Sequence, residues 1–147
     1  MTQILFFLFL FFPTLIFGQH IDFNDSKGKV ANGYDLTEYF NGKAVKGSSK
    51  FLVEHGGTKF QFANSKNAEK FNQNPEKYIP KYGGWCAYAM AKTGEKVTID
   101  PETYEIRDGK LYLFYNAFFT NTLEKWREEG AEELRLKADE NWEKLFE

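Results

Sequence analysis

A single cysteine, Cys86, stands in a chain of 147 residues, so no fold open to this sequence can contain an internal disulfide. The core has to be held by apolar packing and hydrogen bonds alone, and a chain of this length can do that as one domain. Around the cysteine runs Gly83-Gly84-Trp85-Cys86-Ala87-Tyr88-Ala89-Met90-Ala91. The two glycines free the backbone to turn, the alanine-spaced stretch favours a short helix, and Thr93-Gly94 closes it. Cys86 is expected in the first turn of that helix, where unpaired amides favour a thiolate. Met90 follows one turn later on the same face, so thioether and thiol are candidates to converge.

Burial competes with that activation. A helix start contributes roughly 0.3–1 kcal/mol to a nearby anion, and enclosing a charge in apolar surroundings outweighs it. The predicted helix is apolar on nearly every side, through Trp85, Ala87, Tyr88, Ala89 and Ala91. A reactive Cys86 therefore needs exposure or a neighbouring cation, for which Lys81 and Lys92 are the candidates.

Ile4 to Phe17 is a continuous apolar run broken only by Pro13-Thr14, too short for a comfortable membrane span, with a small residue, Gly18, at its end. It reads as an export signal over residues 1–18, with an uncleaved membrane anchor as the alternative, followed by a polar connector over 19–31 and one domain over 32–147. The chain is then exported, periplasmic or secreted, without a membrane span after signal removal. Lysines and acids are interspersed around a formal charge of −2, which leaves no electrostatic footprint for nucleic acid.

Asp35 with Glu38 three residues on has the form of a capping box, and it opens a short helix that presents Leu36, Tyr39 and Phe40. Phe51 and Val53 alternate across Gly56-Gly57 with Phe60 and Phe62, a hairpin pattern with His55 beside the turn. Asn64 or Ser65 caps a helix through Ala68 and Phe71, and Pro75 takes a first helical position in the next. Val97-Thr98-Ile99 reads as a short strand, while Asp108-Gly109 joins Tyr104–Arg107 to Lys110–Tyr115 in the strongest hairpin signal. From Phe119 through Leu145 apolar residues recur at helical spacing, divided by Gly130 into two amphipathic helices. The expected class is α+β: a small antiparallel sheet of hairpins packed by short helices, with two C-terminal amphipathic helices. No internal repeat is evident in the sequence.

Gly33-Tyr34-Asp35, Lys59-Phe60-Gln61-Phe62-Ala63-Asn64, Asn74-Pro75-Glu76-Lys77-Tyr78 and Gly83-Gly84-Trp85-Cys86-Ala87-Tyr88-Ala89 occur in that order. Together they resemble the YHS-domain proteins, and more closely the exported YHS domain-containing (seleno)proteins. The likeness extends to Asp108-Gly109-Lys110-Leu111-Tyr112 and Asp139-Glu140-Asn141-Trp142. It implies metal binding through paired cysteines in related domains, but the corresponding stretches here read Phe62-Ala63-Asn64 and Asn67-Ala68-Glu69, without those ligands. It also implies a cysteine or selenocysteine at the position of Cys86, which favours redox or soft-metal chemistry there.

Three chemistries follow. The first is a soft-metal site, with copper as the candidate cofactor, Cys86 as thiolate, Met90 as thioether and His55 or a partner chain completing the coordination. The second is thiol redox chemistry with Cys86 as the catalytic sulfur. It needs an external thiol or disulfide, or a homodimer, because no resolving cysteine exists in the chain. The third is a noncatalytic binding module in which Trp85, Tyr82 and Tyr88 line a groove for a ligand or partner. A four-ligand zinc site and a histidine-activated hydrolytic thiol are both poorly supplied by one cysteine and two scattered histidines.

Overall fold

The computed structural model describes residues 21–147, and the proposed export signal lies outside them. The chain is α+β, as its pattern suggests. Helix α1 (Leu36–Tyr39) leads into an antiparallel hairpin of β1 (Ser48–His55) and β2 (Thr58–Phe62), followed by α2 (Ser65–Gln73) and α3 (Pro75–Tyr78). Helix α4 (Ala87–Thr93) leads into a second hairpin, β3 (Asp100–Arg107) and β4 (Lys110–Phe114), then a minor hairpin of β5 (Asn116–Ala117) and β6 (Thr120–Asn121). Two helices close the chain, α5 (Thr122–Glu128) and α6 (Ala131–Lys144), with Gly130 at φ +98° between them.

These elements form where local chemistry dictates. Asn64 accepts from Asn67 N–H at 2.9 Å to cap α2, Pro75 opens α3, and Gly94 ends α4 at φ +72°. The turns Gly56-Gly57 and Asp108-Gly109 place both central residues at positive φ, the arrangement whose twist matches the strands of a tight hairpin. Two expectations are corrected. Asp35 caps α1 through Thr37 N–H, but Glu38 does not reach back to complete a capping box; its carboxylate binds Asn67 instead. Val97-Thr98-Ile99 is not a strand, because β3 starts at Asp100 and the Val97 carbonyl is taken by Cys86 N–H.

The expectation of no internal repeat is also overturned. The pairs Ser48↔Phe62, Leu52↔Gln61, Val53↔Phe60, Glu54↔Lys59 and His55↔Thr58 recur fifty-two positions later as Asp100↔Phe114, Tyr104↔Leu113, Glu105↔Tyr112, Ile106↔Leu111 and Arg107↔Lys110. Even the irregularity in the ladder falls at the same step. Each hairpin is preceded by the same left-handed turn: Ala31, Asn32 and Gly33 at φ +51°, +53° and +82°, then Tyr82, Gly83 and Gly84 at +56°, +61° and +88°. Each turn is closed by one bond, Tyr34 N–H to Ala31 O and Trp85 N–H to Tyr82 O, both at 3.0 Å. An extended aromatic residue and a helix N-cap follow, Asp35 in one unit and Cys86 in the other. Sequence patterning misses this repeat because the matched backbones carry different side chains. Among the described residues, the segment 116–121 has no counterpart in the first unit, whose strand β2 passes almost directly into α2.

One apolar cluster joins the units through Phe60, Phe62, Phe71, Cys86, Leu111 and Leu113. A second holds Tyr82, Met90, Phe114, Trp126 and Leu134 beneath α6. Helix α6 is fastened to α4 by Asn141, whose amide donates to Met90 O at 2.9 Å. Among the described residues, no helix is long and apolar enough to cross a membrane.

Candidate functional site

Cys86 is the N-cap of α4, one residue before the helix. Its N–H donates to Val97 O at 2.9 Å and its carbonyl accepts from Met90 N–H at 3.0 Å. The sulfur accepts from Tyr115 N–H at 3.3 Å and lies 3.4 Å from Thr122 Oγ1. The single hydroxyl proton of Thr122 is directed to Tyr115 O at 2.7 Å, so the thiol is the donor to Thr122. Cys86 is 0% exposed.

Asp35 holds the equivalent place in the first unit. Its N–H donates to Val45 O at 2.8 Å, as Cys86 N–H does to Val97 O fifty-two positions on. Its Oδ2 accepts from Ala63 N–H at 2.8 Å, matching the bond from Tyr115 N–H to the sulfur. Asp35 is equally buried but more fully bonded: Oδ1 accepts from Thr37 N–H and Oγ1 at 2.9 and 2.8 Å, and Oδ2 also from Asn67 Nδ2 at 2.8 Å. Asn67 shares its amide with Glu38 at 2.7 Å. In both units one side chain ties a helix start to the residue just after the second strand of the following hairpin, which fixes how the helix sits on that hairpin.

The stretches where the resemblance places paired cysteines contain Ala63 and Asn67, and both donate to Asp35. Hydrogen-bond donors therefore converge where metal ligands would be needed, and the carboxylate oxygens are engaged by them. This arrangement does not suit a cation.

The other predicted site residues do not gather at Cys86. Met90 is fully buried in the cluster under α6, whereas the Cys86 side chain belongs to the other cluster. His55 ends β1, where its ring packs edge-on to Phe71 and its Nε2 lies 3.9 Å from Glu76. Among the described residues, no group of three or more His, Cys, Asp or Glu is placed to hold a metal ion. The candidate cations are engaged elsewhere, Lys81 with Asp139 at 3.0 Å and Lys92 with Glu129 at 2.9 Å.

Tyr82, Trp85 and Tyr88 point to three different partners. Tyr82 is buried and donates to Asp139 at 3.0 Å; burial, then the Asp139 charge, pushes its phenol far above the usual range. Trp85 Nε1 donates to Asp22 O at 3.1 Å, and Tyr88 donates to Glu129 at 2.8 Å. A shallow cleft of about 480 Å³ lies instead among Tyr39, Phe40, Gly42, Tyr104, Glu105, Ile106 and Arg127. Sequence reading did not single it out, since its walls come from α1, β3 and α5. Glu105 there is opposed by its own burial but held below the usual carboxylate range by bonds from Arg107, Arg127 and Trp126.

No curated protein and no solved structure matches the chain. The match to a family model ends at Tyr82, where the first unit gives way to the second, and covers about a third of the sequence. Residues 36–82 match the family model of the YHS domain.

Proposed function

We propose that this chain is an exported, noncatalytic YHS-domain binding module in which Cys86 serves as a structural anchor. The observation that carries this reading is the complete enclosure of the sulfur, bonded to Tyr115 and Thr122 in the role that Asp35 fills in the first unit. A nucleophilic thiol needs a base, and among the described residues the hydrogen-bond partners of this sulfur are Thr122 and the Tyr115 N–H, neither of them a base. A redox thiol needs access for a second sulfur, which the enclosure denies.

A second reading, soft-metal binding with copper as the candidate, is favoured by the same equivalence. The position is built around an anion in the first unit, and a thiolate is the metal-binding form of cysteine. Cys86 would then supply one ligand and another molecule the second, which requires the enclosure of the sulfur to open on binding. Met90 and His55 would take no part.

Anaerobic titration of the full chain with Cu(I) against a chromogenic chelator separates the two readings. The module reading predicts no stoichiometric binding that Cys86→Ser removes. One tightly held Cu(I) per chain, lost in Cys86→Ser and retained in Met90→Leu, would overturn it in favour of the metal reading.

A further inference from the structure

Resting on the module reading, we propose that the β5–β6 hairpin is the binding element and that its occupant is the interfacial region of a neutral lipid bilayer. Residues 118 and 119 form its two-residue turn, and Phe118 and Phe119 are 89% and 112% exposed. Both adopt positive φ, +49° and +63°, in a turn class that normally takes Asn or Gly. Neither local preference nor burial accounts for two phenylalanines there, and the segment is the part of the second unit that the first lacks.

The surroundings select the occupant. From Leu111 to Leu123 the chain carries no charge, although 27% of all residues are charged, so its approach to an apolar medium buries no ion from this segment. Ala117 pairs with Thr120 and Asn116 with Asn121, which satisfies backbone groups within the hairpin. Three of the polar side chains around the tip are also engaged: Asn116 donates to Thr103, Asn121 accepts from Leu123 N–H, and Thr122 donates to Tyr115 O. A protein partner would use such groups as a polar rim. A featureless apolar layer needs none.

A second copy of the chain fits less well. Two phenylalanines from each of two tips bury at most about 1,000 Å², below the roughly 1,200–2,000 Å² of a stable interface. The absence of basic residues in the segment points to zwitterionic rather than anionic lipid.

The test uses the full chain with Phe119→Trp on phosphatidylcholine vesicles, some carrying bromine high on the acyl chains. Bromine quenches only tryptophan at that depth, so the reading is local to the tip whatever residues 1–20 do. Insertion predicts loss of about half or more of the added emission, consistent with burial of an apolar face at the acyl boundary. Emission unchanged by brominated lipid overturns the proposal and leaves the module reading standing, since that rests on Cys86. Phe118→Trp repeats the measurement if the first variant fails to fold. Vesicles should add to the hydrogen-exchange protection of the 116–121 amides, and Phe118→Ser with Phe119→Ser should abolish that increment; an increment that persists in the double variant also overturns the proposal.

Discussion

Asp35→Asn tests the anchor of the first unit with almost no change in shape. The carboxylate accepts four bonds, two on each oxygen, and an amide can accept on one side only. Facing Ala63 N–H and Asn67 Nδ2, the new NH₂ would oppose two donors that cannot turn away. Facing Thr37, it opposes one fixed N–H, because the Thr37 hydroxyl can rotate to accept. The second orientation is cheaper. It still loses the helix cap, worth about 0.5–2 kcal/mol, and weakens two charge-assisted bonds to neutral ones of roughly half the strength. The sum is about 2–4 kcal/mol, a large share of the 5–15 kcal/mol typical of a domain. Urea unfolding followed by far-UV circular dichroism measures it as a lower midpoint at unchanged slope. A loss below about 0.5 kcal/mol, the range of ordinary surface substitutions, would refute the reasoning, because the network would then carry nothing.

Cys86→Ala should cost about 2–3 kcal/mol, since it leaves Tyr115 N–H buried without an acceptor and opens a small void; Cys86→Ser, which keeps an acceptor, should cost less in the same urea assay. Glu105 titrates below its unfolded value, so the stability it contributes is present above the unfolded carboxylate pKa and is lost as pH falls through the depressed folded one. Glu105→Gln should therefore lower the midpoint at neutral pH and flatten the acid limb of a stability-versus-pH series; an unaltered acid limb would count against the Arg107–Glu105–Arg127 cluster. Gly83→Ala should destabilise more than Gly57→Ala, as thermal melts would show. Both sit at positive φ, but an added Cβ at Gly83 overlaps the Asp22 carbonyl, whereas at Gly57 it meets nothing within 4 Å.

Much of the fold was legible in local chemistry. Gly56-Gly57 and Asp108-Gly109 announce their hairpins, Asn64 and Pro75 their helices, and Gly130 the break between α5 and α6, because each acts within a few residues of itself. The last amphipathic stretch is shorter than its spacing suggests: Phe119 looks like its first apolar position yet stands at the tip of β5–β6, and the helix begins at Thr122 with Asn121 as its cap. The site was less legible. Cys86 and Met90 do lie one turn apart, but the packing of α4 between two clusters divides their side chains, which no spacing reveals. The parallel between Asn32-Gly33-Tyr34-Asp35 and Gly83-Gly84-Trp85-Cys86 was present as glycine, aromatic, then a polar or sulfur acceptor. Its meaning depends on Ala63 and Tyr115, twenty-eight and twenty-nine residues away, arriving with their N–H groups.

The most direct measurement is the rate at which a small uncharged alkylating reagent modifies Cys86 in the native chain across a urea series. An anchor enclosed like Asp35 reacts only when the chain opens, so modification should be slow without urea and should accelerate with a slope close to that of global unfolding. Rapid modification that is indifferent to urea would mean the sulfur is reached in the folded state, and would contradict its role as an enclosed strut.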